Sequence, residues 1–191
     1  QLKPYYYSVY LEEPETEVRF APSHKSAVYE LKNSGDQPAY LLLNTNRGKV
    51  SVDKNTIKGY QELDNNVKVY LYMESDRMPA ETMTVGEGSV DTAVKDAEGR
   101  NACVGMRFNS GDSVINIRYG ISFISTEQAE KNLRREISNY NVDSVADAAR
   151  NIWNETLGKI EVDGMDDNDK AIFYTSLYRT HERPVCLSED G

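Results

Sequence analysis

Arg118-Tyr119-Gly120-Ile121-Ser122-Phe123-Ile124-Ser125-Thr126-Glu127-Gln128-Ala129 is the stretch where the chain changes its period. Up to Ile124 apolar and polar residues alternate, the mark of a half-buried strand. From Ser125 onward the spacing becomes helical. Ser125-Thr126-Glu127-Gln128 reads as a capping box, in which a hydroxyl takes one orphan amide and Gln128 reaches back for another. Ala129, Leu133 and Ile137 then recur at i+4, which predicts a helix of about four turns.

Upstream of this point the reading is β throughout. Tyr6, Ser8 and Tyr10 alternate with Tyr7, Val9 and Leu11. Further strands are predicted over 17–20, 26–31, 39–43, 49–52, 57–62, 67–74, 82–85, 102–108 and 113–124. Turn clusters separate them, among them Asn33-Ser34-Gly35-Asp36, residues 44–48, Glu98-Gly99 and Asn109-Ser110-Gly111-Asp112. Short strands at this spacing predict an antiparallel β-sandwich. No βαβ alternation precedes residue 125, and the isolated Gly86 and Gly88 match no phosphate-binding fingerprint.

Downstream, Asp143 is expected to cap a second helix with Val145, Ala149, Ile152, Trp153 and Thr156 on one face and Gly158 as its stop. A strand-like link over 159–164 follows. Asp166 caps a third helix carrying Ile172, Phe173, Leu177 and Thr180, with Pro184 closing it. The acidic run Asp166-Asp167-Asn168-Asp169 suits a helix N-terminus and lacks the Gly and distant Glu of a calcium loop. Trp153 reads as a core residue of the second helix.

The composition narrows the class of function. The 191 residues carry a formal charge of −9, with 39 % hydrophobic and 28 % charged residues, which is a globular balance. At a pI near 4.8 a nucleic-acid partner is excluded, since phosphate binding needs a Lys/Arg surplus. No apolar window is long enough for a membrane span, and Gln1-Leu2-Lys3-Pro4 shows no apolar signal-peptide core. Cys103 and Cys186 have no metal-ligand spacing. Tyr, at 13 residues against 4 Phe, suits half-buried strand positions.

Nothing in the sequence assembles a catalytic set by itself. His24 sits at a strand boundary, and His181 ends a helix, where a cation suits the dipole. No Gly-x-Ser-x-Gly elbow occurs, and Cys186 with His181 nearby gives no oriented nucleophile. Glu189-Asp190 in the terminal loop is the one acidic pair placed to bind sugar hydroxyls, with an ordinary Asp-Gly turn as the competing reading.

Three motifs in order carry a resemblance to a known family. They are the stretch from Arg118 to Ala129; Ala149-Arg150-Asn151-Ile152-Trp153-Asn154-Glu155-Thr156-Leu157-Gly158-Lys159-Ile160-Glu161-Val162; and Ile172-Phe173-Tyr174-Thr175-Ser176-Leu177-Tyr178-Arg179-Thr180 with Ser188-Glu189-Asp190-Gly191. Together they resemble glycoside hydrolase family 92. Residues 1–117 resemble it in pattern only.

The resemblance implies a mainly β fold: an antiparallel sandwich of the galactose-mutarotase-like supersandwich type over 1–124, a helical linker over 125–164, and the first helix and loop of an (α/α)6 barrel over 165–191. It implies an inverting exo-α-1,2-mannosidase that uses calcium, acts on mannose-containing glycans, is exported to the bacterial periplasm or cell surface, and docks its own C-terminal barrel. The family's acid, base and calcium ligands have no counterpart in this chain, so the resemblance assigns it neither a catalytic residue nor a metal ligand. The chain then reads as an inactive scaffold fragment. Asp190, with Glu189, is the substrate-binding carry-over, through hydrogen bonds to mannose hydroxyls. Two rivals stay open. One is another sandwich-plus-barrel carbohydrate enzyme, of the phosphorylase or glucoamylase type. The other is a non-catalytic carbohydrate-binding module using Tyr5, Tyr6, Tyr7 and Tyr10.

Overall fold

The computed structural model describes residues 1–182 and 186–189. Eleven strands come first: β1 (Leu2–Lys3), β2 (Tyr6–Leu11), β3 (Thr16–Pro22), β4 (Ser26–Asn33), β5 (Tyr40–Asp53), β6 (Thr56–Glu62), β7 (Lys68–Ser75), β8 (Glu81–Gly86), β9 (Ser89–Asp91), β10 (Asp96–Arg107) and β11 (Val114–Ser122). Three helices follow: α1 (Thr126–Glu136), α2 (Val142–Leu157) and α3 (Asp167–Arg179). All strand pairs are antiparallel, in the order β1-β2-β3-β4-β11-β7-β6-β5-β10-β8-β9.

The period-2 pattern sorts side chains onto two faces. On the inner face Val50, Val52, Ile57, Met73, Val104, Met106, Phe108, Ile115 and Ile117 form one buried core, with Tyr29 and Leu31 packed against it. The sheet folds over this core as a sandwich. Neighbouring residues point outward: Val28 beside Tyr29, and Tyr72 beside Met73. With Ala21 they meet Ala129 and Leu133 of α1, Ile137 just beyond its end, and Val142 and Ala146 of α2. Helix α1 thus packs with the stripe that the sequence spacing displays, whereas α2 buries Val142 and Ala146 in place of the expected face, of which Val145 packs only in part and Ile152 is 52 % exposed.

One glycine sets how closely α1 approaches. A Cβ on Gly120 would lie 2.2 Å from the Ala129 carbonyl oxygen and 2.9 Å from the Leu133 Cβ. The helix thus rests directly on the backbone of β11. Ser125 caps it as expected, its side chain accepting from the Gln128 amide. The Gln128 side chain donates to Asn132 Oδ1 at 3.1 Å.

Several expectations need correction. Residues 44–48 are not a turn: β5 runs unbroken through them, because Thr45 pairs with Ala102 and Gly48 with Gly99 on β10. Glu98-Gly99 likewise lies inside β10. The cap of α2 is Asn141, which accepts from the Ser144 amide, and Asp143 falls in the first turn instead. Helix α1 has 11 residues, about three turns. No strand forms over 159–164. The Asp166 cap of α3 stands, accepting from Asp169 N–H at 2.8 Å. Trp153 is half-buried, edge-on to Tyr178 at 4.8 Å and His181 at 5.9 Å. Pro184 lies outside the described residues.

Candidate functional site

The exit from β11 is built by local hydrogen bonding. Ser122 Oγ accepts the amides of Ile124 at 2.9 Å and Ser125 at 3.4 Å, which turns the chain out of the sheet and into α1. The turn leaves the Phe123 N–H pointing away from the ladder. Residues 186–189 run across this corner, and Glu189 meets that amide: Oε1 accepts from Phe123 N–H at 2.7 Å and Oε2 from Asn132 Nδ2 at 2.9 Å. Lys25 Nζ donates to the Cys186 carbonyl at 2.5 Å and lies over the Phe123 ring.

Asn132 is fully buried and satisfied. Its Nδ2 also donates to the Ile121 carbonyl at 2.9 Å, and its Oδ1 accepts from Gln128 and from Arg135 Nη2 at 3.1 Å. One side chain on α1 therefore links the last sheet residues to the terminal segment. Burial pushes the Glu189 carboxyl up, but hydrogen bonds from Ser122, the Phe123 amide and Asn132, with Lys25 nearby, hold it below its ordinary value. Of the two residues that the sequence singles out, Glu189 thus faces this seam. Asp190 lies outside the described residues.

A second polar cluster lies under α1. Glu74 on β7 is 7 % exposed and is clasped by two guanidinium groups. Arg118 gives Nε at 2.8 Å and Nη2 at 2.6 Å, and Arg134 gives Nη1 at 2.7 Å and Nη2 at 2.5 Å. The Tyr72 and Tyr140 hydroxyls add donors at 3.0 Å each. Burial pushes the Glu74 carboxyl up, and the bonds from Arg134, Arg118 and Tyr140 outweigh it, holding it at about 2. The same burial, with the Glu74 charge, pushes Tyr72 and Tyr140 up to about 12. Both oxygens of this carboxylate are taken up by these donors, and Arg118 also donates to the Ile137 carbonyl at 2.7 Å, so the cluster fastens α1 to the sheet. Sequence reasoning passed over Glu74 and Asn132. The available signal was Arg118, a charge in the middle of an apolar strand that needs a buried partner.

A groove of about 380 Å³ opens between the β3–β4 turn and α2, lined by Pro22, His24, Asn139, Val145, Ile152 and Trp153. Glu136 and the hydroxyls of Ser23, Ser138 and Ser144 share this lining with His24, and Glu136 Oε2 accepts from the Lys25 amide at 2.8 Å. Among the described residues no three His, Cys, Asp or Glu side chains converge as a metal ion requires. The described residues therefore do not fit a calcium cage. Also among them, no helix is long and apolar enough to cross a membrane. Cys103 is buried and Cys186 exposed, both free.

Comparison with known proteins gives this geometry a context. Residues 1–122 match the model of the glycosyl hydrolase family 92 N-terminal domain, and residues 128–191 match that of the family's catalytic domain. A solved family GH92 inverting mannosidase from Bacteroides thetaiotaomicron superposes with a TM-score of 0.86 at 26 % identity, over 94 % of this chain and 26 % of that one. A family GH92 α-mannosidase of the same organism, solved in complex with mannoimidazole, shares the fold at a TM-score of 0.82 and 19 % identity, over 93 % and 26 % of the two chains. An uncharacterized secreted glycosidase of Arthroderma benhamiae is 34 % identical over 94 residues, 43 % of this chain and 12 % of its own. The chain spans about a quarter of the solved relatives' length. With the N-terminal model filling the whole sheet and the catalytic model beginning on α1, the chain belongs to glycosyl hydrolase family 92.

Proposed function

We propose that this chain is the sandwich, helical linker (125–164) and first barrel helix with its loop (165–191) of an exo-acting α-mannosidase. The enzyme cleaves α-1,2 bonds with inversion, uses calcium, and is exported to the periplasm or cell surface to trim mannose-containing glycans. The observation that carries the reading is the likeness to the inverting mannosidase at 26 % identity over 94 % of the chain.

Inversion needs one carboxylic acid to protonate the leaving oxygen and one carboxylate to deprotonate a water on the opposite face of the ring. The two are separated by about 6.5–9.5 Å so that the water fits between. The family resemblance gives neither role to a residue of this chain, so the reading assigns both groups to later barrel segments. Calcium, when bound, would grip vicinal sugar hydroxyls through oxygen coordination. Its ligands likewise lie outside the described residues. What this chain contributes is placement, through the Glu74 cluster that fixes α1 on the sheet, and, in this reading, hydrogen bonds from Asp190 with Glu189 to the hydroxyls of the terminal mannose.

The test is mannose release from α-1,2-mannobiose by the complete gene product, with and without EDTA, beside residues 1–191 alone. The reading expects release by the complete protein, its loss in EDTA, and none from 1–191. An inert complete protein overturns it in favour of another carbohydrate enzyme or a binding module, and EDTA-resistant release removes calcium from the proposal.

A further inference from the structure

We propose that the groove between the β3–β4 turn and α2 binds one pyranose unit of a glycan, with Glu136 taking its hydroxyls and Trp153 its apolar face. That the groove takes a sugar stands on its lining; that the sugar is mannose rests on the mannosidase reading.

Size and charge narrow the occupant. At about 380 Å³ the groove falls at the small end of small-molecule sites, which span about 300–1,000 Å³, and suits a single ring. No Lys or Arg lines it, whereas Glu136 does, so a phosphate or carboxylate would meet a like charge. A purely apolar ligand fails for the same residue. The Glu136 side chain is only 9 % exposed, and its Oε2 accepts from the Lys25 amide at 2.8 Å. A carboxylate has about four acceptor positions, so hydroxyl donors find places on it beside that amide. Hydrogen bonds to an ionised acceptor are the strong kind.

The other wall is apolar, with Val145, Ile152 and Trp153. An indole offers a large apolar face with fixed geometry, the counterpart of the C–H face of a pyranose. Tyr178 and His181 pack edge-on to Trp153, at 4.8 and 5.9 Å between ring centres, and hold its inclination. His24, Asn139 and Ser144 are exposed and line the same groove, and they can both donate to and accept from hydroxyls. A ligand with one apolar face, several hydroxyls and no charge satisfies the whole lining, and a pyranose is that ligand. The walls are also held in place before any ligand arrives. Arg19 on β3 pairs with Glu30 on β4 and with Asp143 on α2, and Ala21 packs with Val142 and Ala146 behind the groove. A preformed site avoids the cost of ordering its walls.

The experiment is affinity electrophoresis of the complete protein in gels containing soluble α-mannan or dextran, an α-glucan. Wild type is run beside Trp153→Ala and Ala148→Arg. Ala148 lines the groove from an exposed helix position, so an arginine there fills the space without entering the core. Wild type is expected to be retarded by mannan, and both variants to bind about 10- to 100-fold more weakly, with the Tm of Ala148→Arg unchanged. Equal retardation of wild type and either variant overturns the proposal, as does a wild type retarded by neither polymer. A lowered Tm in Ala148→Arg means that other parts of the protein pack into the groove, and overturns it too. Retardation by dextran alone, lost in both variants, upholds the sugar site and overturns the choice of mannose. Hydrolysis of α-1,2-mannobiose by the wild type is read separately: an inert enzyme refutes the mannosidase reading, and the gels still decide the groove.

Discussion

Glu74 keeps its charge in a place that excludes water, because two guanidinium groups and two phenol hydroxyls converge on it. Removing the carboxylate would strand Arg118, whose side chain is only 9 % exposed. Glu74→Gln is expected to cost about 3–5 kcal/mol in urea unfolding, the penalty for breaking a buried pair from one side. The acid response follows from the same contact. A folded pKa near 2 against an ordinary 4.5 contributes stability above pH 4.5 that is lost as pH falls through 2. The loss amounts to about 3 kcal/mol. Acid titration of helical signal should therefore show a fall across that window, blunted in Glu74→Gln. Neither the Glu74 cluster nor the Asn132 link was legible in the sequence, because their partners are 44 and 57 residues apart. Arg118 betrayed only that some partner existed. Glu189 was legible as a candidate from its neighbours in the motif, but not the direction it faces.

At the scale of elements, α1 depends on Gly120 for its seat. Gly120→Ala would drive a methyl into the Ala129 carbonyl, and a cost of about 1–3 kcal/mol is expected, with α1 displaced. The check is Tm together with amide exchange along α1. The caps give a finer contrast. Asn141→Ala should cost about 1 kcal/mol of unfolding free energy, since it removes the acceptor for the Ser144 amide. Asp143→Ala should cost less than about 1 kcal/mol, because its bridge to Arg19 sits on the surface and Arg19 keeps Glu30. The caps at Ser125 and Asp166 were readable, since a hydroxyl or carboxylate ahead of a helical stripe acts locally. Asn141 was missed because Asp143 is an equally good capping residue two positions on, and only the backbone geometry chooses. The length of β5 was unreadable for a different reason. Asn44, Asn46 and Gly48 look like a turn, yet pairing with β10 holds them extended. Non-local partners overrode local preference.

For the whole molecule, the helices leave apolar surface uncovered. Ile152, Ile160, Met165 and Ile172 are 52 %, 46 %, 41 % and 58 % exposed. Residues 1–191 alone are expected to bind a hydrophobic dye and to sediment with concentration dependence. Ile152→Lys with Ile172→Lys should abolish both. The sandwich class itself was readable from strand spacing, whereas the strand order was not, because it is set by pairing between strands far apart in the chain, such as β4 with β11. That order carries a consequence for synthesis. The last strand in the chain, β11, lies in the middle of the sheet, and it alone joins the β1–β4 meander to the block that ends at β7. A nascent chain released only as far as residue 113 holds two half-sheets, each with a bare sticky edge. Pausing there would favour aggregation, and the nine residues of β11 close both edges at once.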